Sequence, residues 1–344
     1  MPLMRIAVLC GGESSERDVS RVSGWASARA LTERQHEVWV IDPSAEEPIL
    51  ARSLRDPASV PQIEVPRTPP SNADQPTLRR RTFATLTNGA VLDLLRDVDV
   101  TFLAMHGGWG EDGHLQALLE MAGVRFTGAG SSVCAAAWRK DHTSLILRDA
   151  GVPVAEQVRY RPAHEDLPVA AKRLIEAGPV VVKPTADGSS VSVRMVNQLS
   201  DLVPAHAAED DLVIEPFLPG REFTVSVVGG LVLPVAEIEL RSALFDYEAK
   251  YQPGLAQEVC PAAIDRGLAH TLQDLAVRAH GALGFGQDGY CRVDFRCDAE
   301  GSPMCLEVNA LPGLTPNSLL PLAARASGIT FPDLVERLVG LALR

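Results

Sequence analysis

The sequence contains no apolar run near the roughly 18 to 20 residues that a membrane-spanning helix requires, so a transmembrane class is not expected. It also lacks the long apolar segment and small-residue cleavage site of a secretion signal: residues 6–10 are apolar, but Gly11-Gly12-Glu13 follow at once. A cytoplasmic location is the expectation. Paired cysteines are missing too. Cys10, Cys134, Cys260, Cys291, Cys297 and Cys305 are scattered without any C-x-x-C spacing, which argues for buried free thiols rather than a metal site or a disulfide framework. Positive charge is short, with 32 Lys and Arg against 44 Asp and Glu and a formal net charge of −12. Nucleic-acid binding is driven by Lys and Arg on phosphate, so no nucleic-acid partner is expected. Internal repeats are absent as well, which argues against a repeat architecture.

What is present is a globular balance, 46% hydrophobic and 22% charged, over 344 residues. That length exceeds one ordinary core and predicts two or three domains with clefts between them. Residues 5–10 read as a strand stopping at Gly11-Gly12, residues 19–31 as a helix with one apolar face, and residues 36–42 as a second strand ending at Pro43. Strand, glycine turn, helix and strand open an α/β domain whose functional edge lies where the strands end. Residues 46–75 carry many prolines and little periodicity and read as a surface excursion, followed by a solvated Arg79-Arg80-Arg81. A further buried strand, residues 98–105, runs into His106-Gly107-Gly108-Trp109-Gly110-Glu111-Asp112-Gly113. Four glycines around a carboxylate pair predict close backbone approach to a ligand there. A boundary falls near Gly128. Residues 131–150 then read as helix, residues 179–183 and 191–196 as a hairpin around a small-residue loop, and residues 212–216 as the strand leading into a third part.

Two constellations carry chemistry. Lys183 stands at a strand end beside Gly188-Ser189-Ser190, which suits a lid closing over phosphates, although a plain surface hairpin explains it equally well. Arg292-Val293-Asp294 and Glu307-Val308-Asn309 lie in the apolar strands of residues 289–295 and 304–309. Residues i and i+2 face the same side of a strand. Two such strands can therefore present an arginine, two carboxylates and an amide to one cleft. Hard oxygen ligands suit Mg²⁺ bridging nucleotide phosphates, with arginine stabilising the charge that develops on transfer. The alternative is a pair of exposed, salt-bridged strand faces. Glu307-Val308-Asn309 continues into the loop Ala310-Leu311-Pro312-Gly313, and sites sit at strand ends, which favours a site.

Five ordered motifs together resemble the D-alanine–D-alanine ligases of the ATP-grasp superfamily. They are Gly11-Gly12-Glu13-Ser14-Ser15-Glu16 with its continuation to residue 20, residues 106–113, residues 183–191, Asp246-Tyr247-Glu248-Ala249-Lys250-Tyr251, and residues 307–315. Only the proline-rich excursion falls outside the resemblance. It implies an α/β fold, α+β in the ATP-binding part, with a three-domain ATP-grasp architecture. The parts are an N-terminal open parallel-sheet substrate domain over residues 1–128, a central subdomain with a lid loop over 129–214, and a C-terminal subdomain with the metal site over 215–344. The activity implied is ATP-dependent joining of two D-alanines through a D-alanyl phosphate, for peptidoglycan precursors. Two Mg²⁺ ions, replaceable by Mn²⁺, and a homodimer are implied with it.

The family pattern also assigns roles. ATP would lie between the central and C-terminal parts, with Lys140 and Lys183 on its phosphates and Lys250 near the transferred one. Glu215, Pro216 and Leu218 would form the adenine hinge, and Glu222 would hold the ribose. Asp294, Glu307 and Asn309 match the magnesium ligands. The first D-alanine falls to Glu16 and His106, the carboxylate of the second to Ser318 and the Leu319 N–H. Arg292 and the Gly313 N–H fit an oxyanion hole. Ser189 and Tyr251, bonded to Glu16, would lock the loops over the site. Trp138-Arg139-Lys140 departs from the usual Met-Asp-Lys, and Thr185-Ala186-Asp187 from the usual lid residues. Tyr251 resembles the dipeptide-forming branch rather than relatives that take D-lactate or D-serine second. Retention of Lys183, Asp294, Glu307 and Asn309 speaks against a non-catalytic nucleotide-binding homologue.

Overall fold

The computed structural model describes residues 2–61, 63, 74–186, 188, 193–202, 211–240 and 256–344. Its first sheet takes β1 (Arg5–Leu9), β2 (Glu37–Ile41), β3 (Ile49–Leu54) and β4 (Val100–Leu103) in the order β3-β2-β1-β4. Around it lie α1 (Arg17–Glu33), α2 (Gln75–Leu86), α3 (Gly89–Asp97) and α4 (His114–Met121). β2, β1 and β4 are parallel and covered on both faces, which is why their sequences are continuous apolar runs. Ile6 and Val8 pack toward Trp25 and Leu31 of α1, while Ala7 and Leu9 pack toward Leu95, Leu115 and Leu119. β3 corrects the sequence reading, because part of the proline-rich excursion is an antiparallel edge strand on β2. As a half-exposed edge it needs no clean apolar alternation, so periodicity could not reveal it.

Residues 131–150 form two helices, α5 (Ser131–Trp138) and α6 (Lys140–Asp149), not one. Arg139 between them is extended, and the Lys140 N–H donates 2.8 Å to the Thr185 carbonyl instead of continuing a helix. The second sheet, β5 (Val158–Tyr160), β6 (Val180–Pro184), β7 (Arg194–Val196) and β8 (Leu212–Pro216), is antiparallel in the order β5-β8-β6-β7. α7 (Val169–Ala177) covers one face, where Val180, Val182, Leu212 and Ile214 are buried. Alternation sends Lys183 and Glu215 to the other face.

β9 (Glu222–Val228), β10 (Leu231–Val232), β11 (Ala236–Leu240), β12 (Ala256–Val259), β13 (Tyr290–Cys297) and β14 (Pro303–Asn309) form the third sheet, ordered β12-β11-β9-β13-β14 with β10 on β9. Phe223, Val225, Val227, Val293 and Phe295 face α8 (Arg266–Leu283) and the α5–α6 pair. Their alternates Glu222, Thr224, Ser226, Arg292, Asp294 and Arg296 line the opposite face. The chain ends in α9 (Leu319–Ala326) and α10 (Phe331–Leu341), which share one apolar cluster with β1 and α1. Five cysteines are buried and Cys260 partly so, and burial pushes the thiols up, Cys260 to about 11. No helix among the described residues is long and apolar enough to cross a membrane.

One buried carboxylate organises the turn after β1. Asp42, wholly buried, lies 3.0 Å from Arg17 Nη2 and 3.6 Å from Arg21 Nε and accepts from the Gly12 N–H at 3.3 Å. Gly11 has φ +72°, and a Cβ there would strike the Asp42 carboxylate. Asp42→Asn should lower unfolding stability by about 3 kcal/mol, because it takes the buried counter-charge from Arg21 and from Arg17, which keeps only Asp18 at 3.8 Å. Urea denaturation measures this, and a loss below about 1 kcal/mol would remove Asp42 from this role.

Candidate active site

Glu16 ends the glycine turn and precedes α1, with its N–H bonded 3.1 Å to Ser14 Oγ, which in turn donates 2.6 Å to the His106 carbonyl. A Cβ at Gly107 would stand 2.7 Å from Glu16 Oε2, and one at Gly188 would collide with it. The absence of side chains at these two glycines thus lets the loop after β4 and Gly188 both approach one carboxylate. His106 is buried between Ser23 Oγ, 2.9 Å from Nε2, and the Leu311 carbonyl, 3.0 Å from Nδ1. A carbonyl can only accept, so Nδ1 carries a proton and, in the neutral ring, Nε2 accepts from Ser23. The ring therefore ties α1 to the loop after β14. Glu111 accepts from the Gly107 N–H at 3.0 Å and lies 3.7 Å from His106 Nδ1. Glu13 accepts from the Trp109 N–H at 2.8 Å, and burial pushes its carboxyl up.

The opposite wall is the polar face of the third sheet. β13 pairs with β14 so that Arg292 stands opposite Asn309 and Asp294 opposite Glu307. Arg292 Nε donates to Asp294 Oδ1 at 2.8 Å and Nη2 to Oδ2 at 2.7 Å. Burial works against the guanidinium charge, but Asp294 together with Glu307 and Glu111 offsets it, and the net shift of Arg292 is upward. Lys140 Nζ lies 3.7 Å from Glu307 Oε2. Asn309 Oδ1 accepts from the Leu311 N–H at 3.0 Å and keeps a second lone pair. No group of three His, Cys, Asp or Glu able to hold a metal exists among the described residues. The set here is two carboxylates and an amide, and such oxygen donors fit Mg²⁺ rather than a softer metal.

A second group gathers along β6, β8 and β9. Lys183 Nζ donates to Glu215 Oε1, both side chains being buried, and Gln157 Nε2 donates to Glu215 Oε2 at 3.0 Å. Glu222 lies 3.3 Å from Arg296 Nη1, and the Arg296 guanidinium sits 4.9 Å from the centre of the Phe217 ring. Burial draws Arg296 below its usual value and Glu222 opposes that. Pro216 ends β8, and Leu218 lies in the turn between β8 and β9.

A cavity of about 330 Å³ lies between the polar face of the third sheet and the segments that follow β1 and β4, with Lys140 of α6 and Gly188 also on its wall. Of the residues expected from sequence, Glu16, His106, Lys140, Arg292, Glu307, Asn309, Gly313, Ser318 and Leu319 line it. Asp294 stands behind Arg292, while Lys183, Glu215, Pro216, Leu218 and Glu222 form the separate group just described. Ser189, Lys250 and Tyr251 lie outside the described residues. The cavity also includes Glu111, Trp138, Glu258 and Asn317, to which sequence reasoning gave no role. For Glu111 the signal was its glycine setting. Glu258, in a short strand outside every motif, offered none.

Residues 5–129 match the family model described as D-ala D-ala ligase N-terminus, and residues 146–340 the one described as D-ala D-ala ligase C-terminus. The chain is 36% identical over 351 residues to a D-alanine–D-alanine ligase of Anaeromyxobacter sp. (strain Fw109-5), covering 99% of this chain and 97% of that one. To its counterpart in Halalkalibacterium halodurans it is 35% identical over 350 residues, covering 99% and 100%. Among solved structures, a D-alanine–D-alanine ligase of Bacillus anthracis superposes with a TM-score of 0.76 at 28% identity over 99% of this chain and 98% of that one. The VanG D-Ala:D-Ser ligase of Enterococcus faecalis reaches 0.74 at 27% identity, over 99% of each chain. Matched by both family models and over its whole length by such relatives, the chain belongs to the D-alanine–D-alanine ligase family and has its ATP-grasp fold.

Proposed function

We propose that this protein joins two D-alanines into D-alanyl-D-alanine for peptidoglycan precursors, converting one ATP to ADP and phosphate. The observation that carries this is one cleft in which Glu16, on the first domain, faces Arg292, Glu307 and Lys140. An ammonium-binding carboxylate thereby confronts the groups that handle phosphoryl charge. A carboxylate is a poor electrophile, so an oxygen of the first D-alanine takes the γ-phosphoryl group and ADP leaves. The second D-alanine first gives up a proton from its ammonium, its free amine then attacks the acyl carbon and loses a further proton, and phosphate departs. Arg292 spends Nε and Nη2 on Asp294, and Nη1 with the Gly313 N–H would serve the oxyanion that forms on the way. His106 holds the 311–314 loop in place for that step. Ser318 and the Leu319 N–H would anchor the second carboxylate at the start of α9.

ATP is read between the second and third sheets, with Lys140 and Lys183 on its phosphates, residues 215–218 along the adenine and Glu222 on the ribose. Asp294, Glu307 and Asn309 would hold two Mg²⁺ ions, replaceable by Mn²⁺, which when bound offset phosphate charge. Lys250 would stand near the transferred phosphoryl group, and Ser189 and Tyr251 would close the loops on Glu16. The division into residues 1–128, 129–214 and 215–344 remains part of this proposal, as do a homodimer and a cytoplasmic location.

Incubation with ATP and D-alanine should yield dipeptide, ADP and phosphate in equal amounts, and AMP with pyrophosphate would overturn the acyl-phosphate route. Offering D-serine or D-lactate beside D-alanine tests the second substrate by product ratio. Glu307→Gln should lower turnover by more than about a hundredfold while leaving far-UV circular dichroism and the melting midpoint unchanged, since an amide is a weak substitute for a metal-bridging carboxylate. Near-normal turnover at saturating Mg²⁺ would remove Glu307 from the metal set.

A further inference from the structure

Among the described residues, four carboxylates line the cleft: Glu16, Glu111, Glu258 and Glu307. Glu16 and Glu307 have the places just proposed. Glu111 is occupied by the Gly107 N–H and faces His106. Glu258 alone has no assignment, and among the described residues none donates a hydrogen bond to it. A half-buried carboxylate without a donor is costly unless a ligand brings one.

Its location says which ligand. On β12, Glu258 stands opposite Ile238 of β11. Ile238 packs with Ala236 and Leu319, and Cys260, two residues beyond Glu258, touches the same group. Leu319 opens α9 and Ser318 precedes it, so Glu258 borders the end of the cleft read as the second amino-acid subsite. Through Ile238 the register continues to Glu222 and Arg296, which keeps Glu258 on the polar face of the sheet. Burial pushes its carboxyl up and the charge of Arg292 draws it down.

The charges of the substrates leave one gap. Two D-alanines bring two ammonium groups and two carboxylates. Glu16 takes the first ammonium, the first carboxylate is phosphorylated, and Ser318 with the Leu319 N–H takes the second carboxylate. No residue in that inventory meets the second ammonium.

We propose that Glu258 receives the ammonium of the second amino acid and so favours an amine-bearing acceptor over a hydroxy acid. The assignment rests on the dipeptide-forming reading. A carboxylate gains a charge-assisted bond from an ammonium, whereas a hydroxyl of the same size offers a neutral and weaker one.

The experiment is steady-state kinetics on wild type, Glu258→Gln and Glu258→Asp, with D-alanine varied widely enough to resolve its two KM values. Product ratios are read in parallel with equal D-alanine and D-lactate. In Glu258→Gln the KM for the second D-alanine should rise about tenfold to a hundredfold, the scale of one charged hydrogen bond. The first KM and the KM for ATP should stay unchanged, and the products should shift toward the D-lactate ester. Glu258→Asp, which keeps the charge, should recover part of the loss. An unchanged second KM in Glu258→Gln, or an equal rise in all three constants, would overturn the assignment. Wild type that makes no dipeptide at all would instead overturn the reading on which it rests.

Discussion

The alignment of β13 against β14 fixes the chemistry of this protein. Arg292 opposite Asn309 and Asp294 opposite Glu307 put a guanidinium, two carboxylates and an amide on one side, while Val293, Phe295 and Val308 enter the core behind. A slip of one residue would bury the charges and expose the apolar side chains, so the hydrophobic requirement of the core sets the position of the polar site. Beyond Asp294 the pairing shifts, which turns Cys305 into the core although it lies two residues before Glu307. The irregularity confines the polar stripe to the end of the strand, where the loop to Ser318 begins.

Much of this was legible because it depends on period two. The i, i+2 spacing of Arg292 with Asp294 and of Glu307 with Asn309 places each pair on one face with no knowledge of partners. What the sequence could not show depends on contacts between distant segments. Whether β3 pairs with β2 depends on a half-exposed edge with no clear alternation. The break at Arg139 depends on the Thr185 carbonyl, forty-odd residues away, drawing the Lys140 N–H out of a helix. Glu258 becomes a cleft residue only because β12 lies on β11 beside α9, and four residues of strand cannot announce that.

The departure at Trp138-Arg139-Lys140 has a local explanation. Arg139 Nη2 lies 2.9 Å from Asp141 and 3.2 Å from Asp211, and Arg159 pairs with Asp211 as well. The added positive charge is matched beside the second sheet and its neighbouring helix, and the partners draw the Asp211 carboxyl below its ordinary value, the hydrogen bond from Arg159 foremost. Lys140, the next residue, remains turned toward Glu307. A basic residue thus sits beside Lys140 without joining its contact with Glu307.

The apolar cluster shared by β1, α1, α9 and α10 bears on how the cleft can open. Val8, Leu31, Leu320, Ala323, Leu334 and Leu338 belong to one continuous core, so the wall bearing Glu16 and the wall bearing Ser318 cannot part without exposing it. The second sheet rests on a small core of its own, built from Val180, Val182, Leu212, Ile214 and the α7 face. Two walls are therefore tied through one core, whereas the second sheet can shift without opening that core. Under the proposed reaction, the geometry of both amino-acid subsites would then survive each round of nucleotide exchange, as a mould outlasts its castings.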